Sequence, residues 1–149
     1  MYKALARRRV RASFDGLSSG DPSVALRGLA DDVHHVFAGD HAVGGERHSR
    51  AAVERWFGRL LHLFELRFEI RRILVSGPPW HLTVAVEWFA QVRPKVGEPY
   101  TNEGAHVIVI HRGKVTYFHA YEDSQKVALA CQGMAAAGIE EAAAAPISD

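Results

Sequence analysis

The sequence contains almost no cysteine, since Cys131 is the only one among 149 residues. A lone thiol cannot close an internal disulfide, and it fits a reducing compartment. The first ten residues, MYKALARRRV, lack the apolar segment of a secretory signal. We therefore expect a cytoplasmic protein.

Long apolar runs and a surplus of one charge are also missing. No hydrophobic stretch approaches the roughly 20 residues that a membrane-spanning helix needs. The 18 Lys and Arg residues nearly balance the 17 Asp and Glu residues, whereas a nucleic-acid binder carries a basic surface. The sequence thus predicts a partner that is neither a membrane nor a nucleic acid.

Local metal-binding patterns are absent as well. The nine histidines include no His-x-x-x-His pair, and a Cys-rich site is impossible with one cysteine. A metal site would require distant residues such as His35, His106, His119 and Glu87 to converge. We therefore predict no metal and no cofactor.

What the chain does have is the length and the 48% hydrophobic content of one globular domain. We assign residues 1–135 to that domain. Residues 136–149 are low in complexity, and we expect them to form a frayed tail.

Hydrophobic periodicity predicts the secondary structure. Apolar residues at helical spacing indicate a first helix ending before Ser18, a short second helix after Asp21, and a third helix capped by Ser49. A brief strand, DVHHVF, lies between the second and third helices, and a closing helix begins near Ser124. Between the third helix and the closing helix, the sequence predicts four long antiparallel strands, namely 66–75, 80–93, 100–111 and 114–122. The first of them alternates with a period of two residues. Helices segregated to one face of a sheet make an α+β domain.

Three stretches carry a resemblance to a known superfamily: GLSSGDPSVALRGLADDVHHVF, GDHAVGGERHSRAAVERWF and HVIVIHRGKVTYFHAYEDSQKV. In order and spacing they resemble the nuclear transport factor 2-like superfamily, which includes ketosteroid isomerases and SnoaL-like polyketide cyclases. The resemblance implies a cone-shaped, strongly curved antiparallel sheet wrapped around the N-terminal helices, with a pocket at the open end. It also implies a homodimer formed through the outer face of the sheet.

Two departures argue against a true ketosteroid isomerase. Counted from Gly20-Asp21, the position of the isomerase tyrosine falls near Ser13, and that of the isomerase aspartate falls at about Phe37. SnoaL-like cyclases resemble this chain in having an acid at the end of the last strand, here Asp123.

Strand alternation and the resemblance together nominate the candidate site. Alternation puts Val115, Tyr117, His119, Tyr121 and Asp123 on one face of the last strand, and the resemblance turns that face towards the pocket. The candidate catalytic residues are Asp123, His119, His106 and His35. The candidate pocket-lining residues are Phe37, Trp56, Trp88, Asn102, Tyr117 and Tyr121.

Simpler roles for the same residues stay open. Asp123 stands where the last helix begins, so it also fits an N-cap. His106 and His119 also fit buried histidines bonded to backbone carbonyls, and the aromatic residues also fit ordinary core packing.

Two functions follow from these candidates. The first is proton transfer next to a carbonyl of a cyclic or polyketide-like substrate, in which Asp123 or His119 takes the proton and His106 or His35 stabilises the enolate. The second is a non-catalytic domain of the same fold that binds a hydrophobic small molecule or assembles with other proteins.

Overall fold

The computed structural model describes all 149 residues as four α-helices and one six-stranded sheet. The helices are α1 (Tyr2–Ser18), α2 (Ser23–Arg27), α3 (Arg50–Leu63) and α4 (Ser124–Ala136). The strands are β1 (Leu29–Phe37), β2 (Gly45–Arg47), β3 (Phe64–Ser76), β4 (His81–Pro94), β5 (Tyr100–His111) and β6 (Lys114–Glu122). This confirms the predicted α+β class and the order of its main elements.

The curved sheet has the strand order β2-β1-β6-β5-β4-β3. All neighbouring strands are antiparallel except β1 and β6, which pair in parallel. The four long strands therefore form the predicted meander. Strand β2 was missed because it has only three residues and lies in a glycine-rich segment, where no alternation can be read.

Two helices begin at side-chain caps, one predicted at Ser49 and one at Asp123, where a cap was the alternative to a catalytic role. Ser49 Oγ accepts a hydrogen bond from the Ala52 amide at 3.2 Å at the start of α3. Asp123 Oδ1 accepts one from the Gln125 amide, also at 3.2 Å, at the start of α4. Each bond satisfies an amide that has no partner inside its own helix.

The core lies between the helices and the concave face of the sheet. Helix α1 buries Ala6, Val10 and Phe14, and α3 buries its Trp56 face. Alternate residues of β4 are buried beneath them, from Leu82 to Val92. Apolar burial of this kind is the main favourable contribution to folding.

None of the four helices combines the length and the hydrophobicity of a membrane-spanning segment.

The C-terminal residues differ from the expected frayed tail. Residues Glu140–Ala143 form a 3₁₀ turn in which Ala142 is buried. Arg59 of α3 donates to the Ala145 carbonyl at 2.8 Å, and Asp149 accepts a bond of 2.7 Å from the His48 amide. A composition of small residues does not reveal such docking, because these contacts depend on backbone carbonyls and single side chains.

Candidate functional site

A cavity lies between the concave sheet face and helices α1 to α4. Its volume is about 110 Å³, counted as the space open to the centres of water molecules. On that measure a single water needs roughly 10–15 Å³, so the cavity is large enough for a small organic molecule. Of its 22 lining residues 19 are hydrophobic. The three exceptions are Ser13, His106 and Glu122.

The predicted facing of β6 is wrong over most of its length. Val109 pairs with Tyr117 but Ile110 pairs with Val115, so Thr116 is an extra residue that shifts the register. Beyond such a bulge every side chain changes face. Phe118 and Glu122 therefore line the cavity, while Tyr117, His119, Tyr121 and Asp123 do not.

The outer residues of β6 interact with one another instead. The Tyr117 hydroxyl and His119 Nδ1 are 2.8 Å apart, and the His119 ring stacks on Tyr121 at 3.8 Å. Tyr121 is half exposed. His119 pairs with Val107 and His106 with Ala120, so the two histidines lie on opposite faces of the sheet and do not meet.

His106 lies on the inner face of β5 and has a fixed tautomer. Trp88 Nε1 donates a hydrogen bond of 2.8 Å to His106 Nδ1. Burial lowers the pKa of His106 to about 4, with the nearby charge of His119 as a smaller cause. The ring is therefore neutral at physiological pH. Because Nδ1 accepts from an indole, the proton of the neutral ring is on Nε2.

Gly104 makes the contact between Trp88 and His106 possible. It pairs directly with Trp88 across β4 and β5. A Cβ at this position would lie 2.7 Å from Trp88 Cζ2 and would also collide with the Tyr121 carbonyl oxygen. The indole can therefore cross the β5 backbone towards His106 only because residue 104 has no side chain.

Glu122, which sequence reasoning missed, is the only acid that lines the cavity. Burial raises the pKa of Glu122 to about 8, and the negative charge of Asp123 adds to this effect. Asn102 Nδ2 donates to Glu122 Oε2 at 3.2 Å, while Oε1 is buried without a hydrogen-bond partner. A carboxyl group in such surroundings exchanges its proton near neutral pH.

Asn102 positions Glu122 and is not itself among the residues that line the cavity. Its Nδ2 also donates to the Asp123 carbonyl at 3.2 Å, and its Oδ1 accepts from the Asp123 amide at 3.3 Å. The buried side chain of Asn102 thus holds both the backbone N–H and the backbone carbonyl of Asp123, at the junction between β6 and α4.

His106 and Glu122 share one small region of the inner face. Gly104 pairs with Glu122, and His106 pairs with Ala120. The two titratable side chains are therefore diagonal neighbours across the β5–β6 pair, a Cβ separation of about 7 Å. One small ligand can contact both groups at once.

His35 is fully buried behind the cavity wall. Its ring stacks on Phe118 at 4.0 Å and meets Trp56 edge-on at 4.3 Å. Neither ring nitrogen has a hydrogen-bond partner, and burial together with the charge of Arg47 places the pKa of His35 well below its usual range. His35 supports the wall but is not among the residues that line the cavity.

Three of the five aromatic candidates line the cavity, as do the two positions at which the chain departs from ketosteroid isomerases. Phe37, Trp56 and Trp88 line the cavity, although their contact with a ligand stays a prediction. Ser13 and Phe37, near which the resemblance puts the tyrosine and the aspartate of ketosteroid isomerases, both line the cavity, and neither is an acid. Asp123 is exposed and caps α4.

These features define a cone-shaped α+β domain with an apolar cavity. The model of the SnoaL-like domain matches residues 10–118, more than half of the chain. The protein therefore belongs to the SnoaL-like family of the nuclear transport factor 2-like superfamily.

Solved structures share the fold. A nuclear transport factor 2-like protein of unknown function from Burkholderia pseudomallei is 21% identical, with a TM-score of 0.71 over 80% of this chain and 92% of its own. A proposed polyketide cyclase from Xanthomonas campestris pv. campestris is 20% identical, with a TM-score of 0.63 over 85% and 96%. A proposed isomerase from Rhodopseudomonas palustris is 14% identical, with a TM-score of 0.70 over 86% and 96%. No curated protein matches the sequence.

Proposed function

We propose that the protein binds a small, largely apolar cyclic carbonyl compound in the cavity and transfers a proton next to its carbonyl. Glu122 is the base, and His106 is the hydrogen-bond donor to the developing enolate. One observation carries the proposal: the only carboxyl group and the only imidazole that line an apolar cavity have pKa values displaced in opposite directions. Such pairs mark acid–base sites.

Glu122 suits the role of base because of its surroundings. A general base works best when its pKa lies near the operating pH, since it must both accept and return a proton. Burial brings the pKa of Glu122 to about 8. The unpartnered Oε1 leaves one carboxyl oxygen without a competing protein donor.

His106 suits the role of donor because its ring stays neutral. With Nδ1 occupied by Trp88, the Nε2–H group is the part of the ring free of protein hydrogen bonds. A fixed donor in a site that excludes water stabilises an oxyanion without having to reorganise during the reaction.

The proton and electron balance is simple. The carboxylate of Glu122 takes a proton from the carbon beside the carbonyl, and the electrons of that C–H bond form the enolate. The negative charge develops on the carbonyl oxygen, which accepts a hydrogen bond from His106 Nε2–H. Protonated Glu122 then returns the proton to carbon, and the step consumes no redox equivalent or cofactor.

Deuterium exchange tests this proposal on any ketone that the cavity binds, whatever the natural substrate is. A panel of cyclic and aromatic ketones is first screened by thermal shift, and each hit is then incubated in D₂O with the protein. We expect proton-to-deuterium exchange at the carbon beside the carbonyl, and we expect Glu122→Gln to abolish it while still binding the ketone. The matched control is Asp123→Asn, which changes the adjacent acid but keeps the helix cap.

The second candidate is a binding domain without catalysis. One observation favours it. Ser13 and Phe37 line the cavity near the places where the resemblance puts the tyrosine and the aspartate of ketosteroid isomerases, and neither residue can replace them. In that case ketones or aromatic acids stabilise the wild-type protein, but no exchange occurs. Exchange that is unaffected by Glu122→Gln would instead show that another group is the base.

We also propose that two copies associate through the outer face of the sheet. Alternation turns Phe89 and Ala85 of β4 and Val107 and Val109 of β5 to that face, and each is only partly buried in one chain. Light scattering at micromolar concentration should give twice the 16.5 kDa chain mass. We expect Val107→Glu to yield a folded monomer, and a monomeric wild type would contradict the proposal.

A further inference from the structure

Three metal-ligating side chains meet on the outer face of β1 and β2, on the opposite side of the sheet from the cavity. His34 Nε2 lies 2.7 Å from Glu46 Oε2, and the rings of His34 and His48 stack at 4.6 Å with an interplanar angle of 15°. One ligand atom from each of the three residues lies within 4.8 Å of the others.

The strand pairing brings these residues together from separate parts of the chain. His35 pairs with Arg47 and Val36 pairs with Glu46, so the same register sets His34 opposite His48 at the end of the ladder. The inward neighbours, His35 and Arg47, are fully buried and hold both backbones in place. Asp149 accepts a hydrogen bond from the His48 amide, which fixes the third backbone position.

We propose that His34, Glu46 and His48 form a binding site for a divalent transition-metal ion of the zinc class. Two imidazoles and one carboxylate are ligands that zinc accepts, with water in the fourth position. Zn–N and Zn–O bonds of about 2.0–2.1 Å put tetrahedral ligand atoms about 3.3 Å apart. The 2.7 Å contact between His34 and Glu46 must therefore open slightly, while the other two pairs of ligand atoms already lie within 4.8 Å.

Exposure makes that adjustment feasible. The side chains of His34 and Glu46 are 38% and 56% exposed, so they can rotate without disturbing the core. His119 of β6 pairs with Val36, which also pairs with Glu46, but His119 is not one of the three residues whose ligand atoms meet.

The sequence predicts no metal because its histidines show no helical or Cys-rich spacing. The proposed ligands come instead from two paired strands. His34 lies on β1, Glu46 lies on β2, and His48 directly follows β2. The convergence of His35, His106 and His119 that a metal site would need does not occur. His35 and His106 lie on the inner face of the sheet, and His119 lies on the outer face.

Calorimetric titration with ZnCl₂ tests the proposal on the full chain. We expect one Zn²⁺ per chain for the wild type, and a loss of affinity greater than about tenfold in His34→Ala, His48→Ala and Glu46→Gln. The matched control is His62→Ala. His62 lies 2.7 Å from Glu141 in the same kind of histidine–carboxylate pair, but no second histidine belongs to that pair.

A second readout does not depend on variants. In the wild type, Zn²⁺ should shift the imidazole ¹⁵N resonances of His34 and His48 but not that of His62, and Co²⁺ should give the intense visible absorption of tetrahedral coordination. The absence of stoichiometric binding would overturn the proposal. So would binding that persists in both histidine variants, which would place the ion elsewhere, for example at the His81–His111 pair.

Discussion

Trp88 and His106 are joined by a hydrogen bond from indole Nε1 to imidazole Nδ1, 2.8 Å long, inside a largely apolar cavity. The bond sets the tautomer of the histidine and opposes its protonation, because a protonated Nδ1 could not accept it. Burial acts in the same direction on the pKa. The indole therefore keeps His106 a neutral donor.

Replacing Trp88 with Phe should release that constraint. We expect the pKa of His106 to rise above about 4, because the indole no longer opposes protonation of Nδ1, while burial still holds it below its ordinary value. We also expect the Nδ1–H tautomer to become populated. The unpaired Nδ1 should lower the free energy of unfolding by about 1–3 kcal/mol. Imidazole ¹⁵N chemical shifts measured across pH report both changes.

The control for this variant is Trp56→Phe. Trp56 Nε1 donates to the Val43 carbonyl at 2.7 Å, so this variant also loses a buried indole hydrogen bond. It should be destabilised to a similar extent but leave the tautomer of His106 unchanged. Equal ¹⁵N shifts in the two variants would show that Trp88 has no specific effect on the histidine.

Gly104→Ala should displace the indole of Trp88. The new Cβ would lie 2.7 Å from Cζ2 and would also collide with the backbone carbonyl oxygen of Tyr121, which cannot move as a side chain can. Overpacking of this kind costs about 1–3 kcal/mol in the free energy of unfolding. Gly58→Ala is the matched control, since nothing lies within 4 Å of the new Cβ and alanine favours helix α3 by about 0.5–1 kcal/mol. Urea denaturation should show that the free energy of unfolding falls in Gly104→Ala and rises in Gly58→Ala.

Asp123 should behave as a helix cap in mutagenesis. Asp123→Ala removes the acceptor of the Gln125 amide and should cost about 0.5–2 kcal/mol, whereas Asp123→Asn keeps an acceptor and should cost much less. Thermal or urea unfolding distinguishes these outcomes. A loss of ketone exchange in Asp123→Asn with unchanged stability would instead support Asp123 as the base.

Much of the fold could be predicted because long elements carry strong periodic patterns. Helices α1 and α3 each show at least two turns of apolar residues at helical spacing, and strands β3 to β6 are long segments separated by turn residues. Strand β2 could not be predicted, since three residues hold no pattern and its pairing with β1 depends on tertiary contacts.

The site was harder to predict for one local reason. On β5 the alternation of side chains is regular, so that Asn102 and His106 lie on the same inner face, because no bulge interrupts that strand on its β4 side. On β6 the extra residue, Thr116, moved Glu122 inwards and Asp123 outwards. The apolar character of Phe118 and Ala120 was the available signal, since both are more hydrophobic than Tyr117 and His119.

The raised pKa of Glu122 should make stability depend on pH. Between the ordinary value of 4.5 and about 8 the folded chain keeps a proton that the unfolded chain has released. This contribution to stability is complete below about pH 4.5 and is lost as the pH rises through 8, by at most about 1.4 kcal/mol per unit. The free energy of unfolding, measured by urea denaturation, should fall less from pH 5 to pH 8 in Glu122→Gln than in the wild type. The variant Glu98→Gln, which changes an exposed glutamate, should behave like the wild type.

The most direct test of the proposed site is the titration of Glu122 itself. The side-chain carboxyl ¹³C resonance, with glutamate labelled and the signal assigned by its absence in Glu122→Gln, can be followed from pH 3 to 10. A midpoint of about 8 that moves when a cyclic ketone binds is the result we predict. A midpoint near 4.5, unaffected by ligand, would contradict the assignment of Glu122 as the base in the cavity.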